Sequence, residues 1–402
     1  MSDRLRVALV VQRYGAEVNG GAEALARRVA GLIDDAVDLT VLTTCALDYR
    51  TWEDHYPPGE DEVEGVRVLR FPVPTPRDPA AFDALSPRAY AAPGDVELGR
   101  RWMAAQGPVA PGLAAHLDAE PYDAVAFVTY LYATTADVIT RVRDRAVLAP
   151  TLHDEPPATL RVFDEVFDAA RVLMFSTPEE AEFAARRFGV GPDRARIAGA
   201  GLDPAPAADP ARFAPTVGGR PYALYVGRMD GSKGVPALVE AHARYRRARP
   251  EGLDLVLMGG GAMDLPAHPW LHRTGFVGEE VKHDATAGAA VVIVPSPYES
   301  LSFSQLEAWS HGRPTLANAA SPVLVGQSRR SGGGLWYDGP DEYAVMIDLL
   351  ARARPLATAL GRQGRRFTER ECSWERLRAR WLSALHEAAG REPPATGLHS
   401  AT

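Results

Sequence analysis

Short apolar runs rich in β-branched residues alternate with stretches of helical period along most of the chain, and turn residues separate the two. Runs that are apolar throughout, without a polar face, are strands buried on both sides. Their succession with helices predicts an α/β fold of parallel sheets wrapped by helices. In the first half the predicted strands are Val7–Val11, Leu39–Thr43, Val66–Phe71, Ala124–Val128, Ala146–Pro150 and Val172–Phe175. Residues 72–119 depart from this rhythm: they are rich in proline and carry predicted helices at Glu97–Ala105 and Pro111–Leu117, which reads as an insertion placed near a ligand.

The stretch Gly201–Pro210, with Gly218 and Gly219 close behind, has no apolar period and reads as a linker. The alternation then restarts with Tyr222–Val226, Leu253–Met258, Thr274–Val277, Val291–Val294 and Thr315–Ala317, which predicts a second doubly wound domain. The expected divisions are residues 1–205, 206–373, a last helix over 374–390 and a disordered polar tail over 391–402. A chain of 402 residues exceeds what one core sustains, in keeping with two domains.

Composition narrows the function classes. With 46% hydrophobic and 24% charged residues the chain is of ordinary globular make-up, and no apolar run approaches the ~18 residues a membrane span needs. Val7–Val11 is too short, and too soon interrupted by Gln12 and Arg13, for a secretory signal, so a cytoplasmic location is expected. A net charge of −8 speaks against nucleic acid as a partner. Arg244, Arg246, Arg247 and Arg249 precede Pro250 and suit a helix C-terminus, while Arg362, Arg365 and Arg366 suit a solvated helix face. Cys45 and Cys372 are far apart and read as packing residues. His268 and His272 have a helical metal-ligand spacing, but Pro269 between them breaks it, and no metal is expected.

The chemistry concentrates at strand ends. Between Tyr298 and Glu307 a buried strand runs into a helix, with Glu299 on the loop and Glu307 inside the helix. The unpaired amides of a helix start attract an anion, and carboxylates accept hydrogen bonds from hydroxyls, so the natural ligand combines phosphate with sugar. In Val226-Gly-Arg-Met-Asp-Gly-Ser-Lys-Gly234, Arg228 and Lys233 lie between Gly227, Gly231 and Gly234 directly after a strand, a setting that suits anion ligands better than solvated cations. Gly20 and Gly21, in Asn19-Gly-Gly-Ala-Glu23, fit either a close phosphate approach or a turn that only packs strand against helix. Gly259, Gly260 and Gly261 fit a tight strand exit, and Gly275-Phe-Val-Gly278 precedes a helix with Glu279, Lys282 and His283. His153 follows a buried strand and by spacing alone is either a structural or a catalytic histidine.

In order and spacing, Gly227-Arg228, Lys233-Gly234, Gly259-Gly260, Gly275-Phe-Val277, Pro295-Ser296, Glu299 with Glu307, and Gly312-Arg-Pro314 resemble the nucleotide-sugar glycosyltransferases of family 4. Asn19-Gly-Gly-Ala-Glu23 and Leu152-His-Asp154 are similar to that family's glycine loop and histidine. The resemblance implies the GT-B fold: two Rossmann-like domains facing a cleft, acceptor-side first (1–205) and donor-side second (206–373), with the last helix crossing back to the first. It implies donor binding by Gly20, Gly21, Arg228, Lys233, Gly259, Gly260, Val277, Glu299, Ser302, Phe303 and Glu307. Glu307 would take the ribose hydroxyls, Arg228 and Lys233 the diphosphate, Glu299 the sugar, Val277 the base, and backbone groups of Ser302 and Phe303 would complete the cradle. The family often has glycine and leucine at those last two positions, so the serine and phenylalanine here leave the shape of the sugar pocket open.

His153, Arg228, Lys233 and Glu299 are the implied catalytic group, with His153 beside the donor sugar and Asp154 orienting nearby loops. Acceptor-side candidates are Asp154, Tyr130, Tyr132 and Trp102. The implied reaction is transfer from a UDP or GDP sugar with retention of configuration, by same-face attack assisted by the donor phosphate. It uses no metal and no cofactor, the nucleotide sugar being a co-substrate, and no Asp-x-Asp metal motif occurs. The acceptor, whether glycan, lipid-linked sugar or small molecule, and the oligomeric state are left open. Membrane contact is at most peripheral, since the first helix offers only Arg27 and Arg28 as a basic face. Two alternatives share the scaffold: a sugar-nucleotide epimerase or hydrolase, and a non-catalytic nucleotide-sugar-binding protein.

Overall fold

The computed structural model describes residues 4–18, 20–261 and 263–392. The chain forms two compact units, one built from residues up to Gly199 together with those from Glu375 onward, the other from Ala200–Trp374. The disordered tail expected over residues 391–402 lies, from residue 393 onward, outside the described residues.

The first unit holds eight strands: β1 Arg6–Val10, β2 Asp38–Thr44, β3 Gly59–Val63, β4 Val66–Phe71, β5 Ala124–Val128, β6 Ala146–Ala149, β7 Val172–Phe175 and β8 Ala195–Ile197. They lie in the order β3-β4-β2-β1-β5-β6-β7-β8. Among the described residues only the β3–β4 pair of these strands is antiparallel. Strands β5, β6 and β7 are buried at every residue, as sheets covered on both faces require. β3 escaped the apolar pattern because Gly-Glu-Asp-Glu-Val exposes its acids, and charges on an edge strand discourage further pairing.

Residues 72–119 carry three helices, Pro79–Ala91, Val96–Gln106 and Pro111–Ala119, the first two capped by the side chains of Asp78 and Asp95. The final helix, Trp374–Ala388, buries Leu377, Trp381 and Leu385. Arg378 on this helix donates to the Leu32 carbonyl at 2.6 Å and pairs with Asp35, while Arg196 pairs with Glu387 at 2.7 Å.

The second unit is one parallel sheet of six strands: β9 Tyr222–Val226, β10 Asp254–Met258, β11 Leu271–Gly275, β12 Val291–Val294, β13 Thr315–Asn318 and β14 Gly334–Tyr337. Their order is β11-β10-β9-β12-β13-β14. The predicted strand Thr274–Val277 is corrected to Leu271–Gly275: this edge strand reads Leu-His-Arg-Thr-Gly, and Phe276, 88% exposed, has already left the sheet. The strand order reverses between β9 and β12, so the carboxyl ends of these neighbours open the crevice where ligands of open α/β sheets bind. Among the described residues no helix is long and apolar enough to cross a membrane.

Candidate active site

At the β9 exit Asp230 accepts a hydrogen bond from the Lys233 amide at 3.1 Å and tightens a single turn over Gly231–Lys233. Gly234 then takes φ 73°, and a Cβ there would stand 2.4 Å from the Pro295 carbonyl oxygen beyond β12. Only glycine brings the two strand exits this close. The result is direct: Lys233 Nζ lies 2.7 Å from Glu299 Oε1, with the side chains 30% and 16% exposed. Arg228 on the same loop is 65% exposed and only loosely paired with Asp230 at 3.6 Å. Gly259 closes the other side with φ 139°, where a Cβ would fall 2.0 Å from the Gly227 carbonyl oxygen. Met229 donates to Gly260 at 2.8 Å.

The helix Phe303–Ser310 starts beside this loop and is tied to β9 by Ser304 Oγ, which donates to the Val226 carbonyl at 3.2 Å. Ser302 is its N-cap, accepting from the Gln305 amide at 3.3 Å. One expectation is corrected: the Ser302 amide already donates to Gln327 Oε1 at 3.1 Å, so it does not face a ligand. The amides of Phe303 and Ser304 remain as donors that the helix does not itself satisfy. Glu307, one turn in, accepts from Lys282 Nζ at 3.2 Å, and Lys282 also reaches Glu279 at 2.7 Å. Burial works against this ammonium, but Glu307 and Glu279 outweigh it and raise its pKa. Val277 is half-buried against the core beneath β9, while Phe303 is 45% exposed.

In the first unit, His153 Nδ1 stands 3.1 Å from Glu155 Oε1, which also accepts from the buried Tyr130 hydroxyl at 3.0 Å. Two β-branched residues here adopt the left-handed region, Thr129 after β5 at φ 68° and Thr151 after β6 at φ 50°. Such strain persists only where the surroundings enforce it, and it clusters at functional sites. Thr151 is followed by Leu152, whose amide donates to Glu180, 1% exposed; the two carboxylate oxygens accept the Leu152 and Ser176 amides at 2.6 Å each. Thr129 is held by its own amide on the Ala149 carbonyl and by the Thr135 hydroxyl on its carbonyl, both at 2.8 Å. Asp154, next to His153 in the chain, is exposed. Gly20 precedes the helix Gly21–Ile33, where Glu23 is held by buried Arg13 at 2.9 Å from Nε; Asn19 lies outside the described residues.

Two acceptor-side candidates are corrected. Trp102 is 1% exposed, with Nε1 donating to Ser86 Oγ at 2.9 Å, and Tyr130 is equally buried with its hydroxyl spent on Glu155. Both belong to the core, where an acceptor cannot touch them. Tyr132 packs edge-on against buried Trp52, with ring centroids 5.3 Å apart. Trp102→Phe is accordingly expected to cost about 1–2 kcal/mol in urea denaturation while leaving the acceptor KM unchanged. Lys282 was named only as part of the helix after Gly278, and Gln327, Glu155 and Glu180, which hold these candidate residues, were not named; of the latter three Glu180 carried a signal, the helix-start pattern Thr177-Pro-Glu-Glu180.

Two doubly wound units, the second carrying paired lysines and glutamates at its crossover, define a GT-B glycosyltransferase. Comparison with known proteins agrees. The model of the family Glycosyl transferases group 1 matches residues 220–351. The D-inositol 3-phosphate glycosyltransferase of Xylanimonas cellulosilytica is 30% identical over 381 residues, covering 84% of this chain and 85% of that one. Among solved structures, the sucrose-phosphate synthase of Thermosynechococcus elongatus superposes with a TM-score of 0.66 at 19% identity, over 93% of this chain and 96% of the other. An Anabaena protein in complex with UDP gives 0.66 at 12% identity, over 95% and 100%. At these identities the structural likenesses speak for the fold alone. The chain belongs to the group 1 glycosyl transferases, GT4-type enzymes, and is a glycosyltransferase.

Proposed function

We propose that the protein transfers a sugar from a nucleoside-diphosphate sugar to an acceptor hydroxyl, with retention of configuration and without a metal ion. The observation that carries this reading is the 2.7 Å pair of Lys233 and Glu299 at the crossover of the second sheet. A diphosphate arriving there offers Lys233 a stronger partner than one carboxylate, and Arg228 adds a guanidinium fork. Once Lys233 turns to phosphate, Glu299 is released to accept hydrogen bonds from the sugar. Glu307 exchanges Lys282 for the ribose hydroxyls in the same way. Charge-assisted hydrogen bonds of this kind contribute roughly 1.5–3 kcal/mol each.

The family resemblance assigns His153 a role at the donor sugar. The acceptor oxygen bonds to the anomeric carbon on the face from which the diphosphate departs. As the bond from that carbon to the phosphate oxygen breaks, the departing phosphate takes the acceptor proton. Cations fixed on the departing phosphate stabilise the charge that develops there. The crystallised complex of the Anabaena neighbour makes UDP sugars the first donors to try, and the relative's name makes D-inositol 3-phosphate the first acceptor. With a competent pair, NMR of the product is expected to show the donor's anomeric configuration, and a chelator is expected to leave turnover unchanged. An inverted product, or donor loss without acceptor, would overturn the reading.

A further inference from the structure

A cavity of about 980 Å³ opens in the second unit at the edge of the sheet opposite Lys233 and Glu299. Its floor includes Pro221, Leu253, Ala290 and Pro314, which directly precede β9, β10, β12 and β13. Four arginines line it, Arg249, Arg313, Arg352 and Arg354, against two carboxylates, Asp348 and Glu251. Asp348 is already engaged by Arg249 at 3.1 Å and Arg352 at 3.5 Å, and Glu251 by Arg220 at 3.3 Å.

Arg313 is the telling member. Its Nε is buried without a hydrogen-bond partner, and among the described residues it has no ion pair. Burial lowers its pKa, opposed by Tyr222 alone. Burial, with His283 and Arg313 adding positive charge, also pushes neighbouring His311 down to about 4, leaving a neutral ring. A guanidinium half withdrawn from water without a counter-ion is held at a cost that an anion would relieve. Its planar fork suits phosphate oxygens, and exposed Arg352 and Arg354 widen the positive mouth in a chain whose net charge is −8.

We infer that this cavity is a second anion site, separate from the donor site, that takes a small phosphate-bearing metabolite on Arg313, with Arg352 and Arg354 at its mouth. The position suits an effector. Arg313 follows the helix Phe303–Ser310 that carries Glu307, and His311 at the helix end meets His283 at 2.9 Å, next to the Lys282 that holds Glu307. A ligand at Arg313 therefore bears on the same helix from its far end.

The test is thermal unfolding in inorganic phosphate at constant ionic strength. Phosphate is expected to raise the Tm of the wild type by a few degrees in a saturable way. The rise should persist in an Arg228→Ala/Lys233→Ala background, where the diphosphate clamp is gone, and disappear in Arg313→Gln. In phosphate-free buffer Arg313→Gln should be at least as stable as wild type, because it removes an uncompensated charge. The exposed pair Arg352→Gln/Arg354→Gln should weaken phosphate affinity several-fold, which keeps the test decisive should Arg313→Gln fail to fold. An equal rise in Arg313→Gln, or loss of the rise in the Arg228→Ala/Lys233→Ala background, would overturn the proposal.

Discussion

Replacing Lys233 by alanine is expected to lower turnover by about 100- to 1000-fold, with weaker binding of the free nucleoside diphosphate. The magnitude follows from its proposed role. A fixed cation on a departing diphosphate stabilises charge that grows toward the transition state, and removal of one such preorganised partner typically costs about 3–4 kcal/mol. Folding should be almost untouched, because the Lys233–Glu299 pair is partly solvated and pairs of that kind contribute about 0–1 kcal/mol. Loss of activity at unchanged Tm therefore separates clamp from scaffold. Glu299→Gln serves as the companion: in the double variant the two losses should not add, since the two residues are paired with each other and hold the same donor. Lys233→Arg keeps the charge but not the compact reach to Glu299, and partial recovery is expected. Steady-state kinetics with a fixed donor supply the numbers, and a kcat within twofold of wild type in Lys233→Ala would end the clamp assignment.

The strands that the sequence announced were those buried on both faces, such as Ala124–Val128, where every position is apolar because each faces a helix layer. Those it hid lie at sheet edges. β3 is acidic, β8 has only three residues, and β11 mixes His272 and Arg273 into its run, so the pattern slid toward Phe276 and Val277. The loop that brings Lys233 to Glu299 could be picked out because glycines and charges at strand exits are local in sequence, as in Gly227–Gly234. What connects them is not local. Gln327 takes the Ser302 amide from 25 positions away, and Lys282 reaches Glu307 from a different helix. Aromatic residues gave the poorest guidance, since Trp102 and Tyr130 have the same composition signal whether they line a pocket or fill a core. Their polar ends are satisfied by Ser86 and Glu155, partners that no spacing rule would name.

Glu180 is where fold and chemistry meet, and its replacement by glutamine is expected to reduce kcat about 10- to 100-fold while leaving the donor KM within twofold. The carboxylate accepts the amide next to His153 from the β6 exit and the Ser176 amide from the β7 exit. A glutamine has one acceptor in place of two and turns an amide donor toward a backbone N–H, which costs about 1–3 kcal/mol and lets the Leu152–His153 loop drift. Misplacement of a reacting group by about 1 Å is enough for a 100-fold loss, whereas the donor ligands of the second unit are unaffected. With His153 in its proposed role Glu180 acts as a positioning residue, and its titration gives an independent signature. Burial pushes its pKa from 4.5 up to about 7, although the Leu152, Ser176 and Thr177 amides pull the other way. Because the folded state holds the proton more tightly than the unfolded chain, this group's contribution to stability is complete below pH 4.5 and is lost as pH rises through 7. The loss is on the order of 3 kcal/mol. Urea unfolding at pH 5 and pH 8 should therefore show wild type losing more stability than Glu180→Gln across that window. Parallel losses in the two proteins, together with an unchanged kcat, would show that Glu180 neither titrates there nor positions His153.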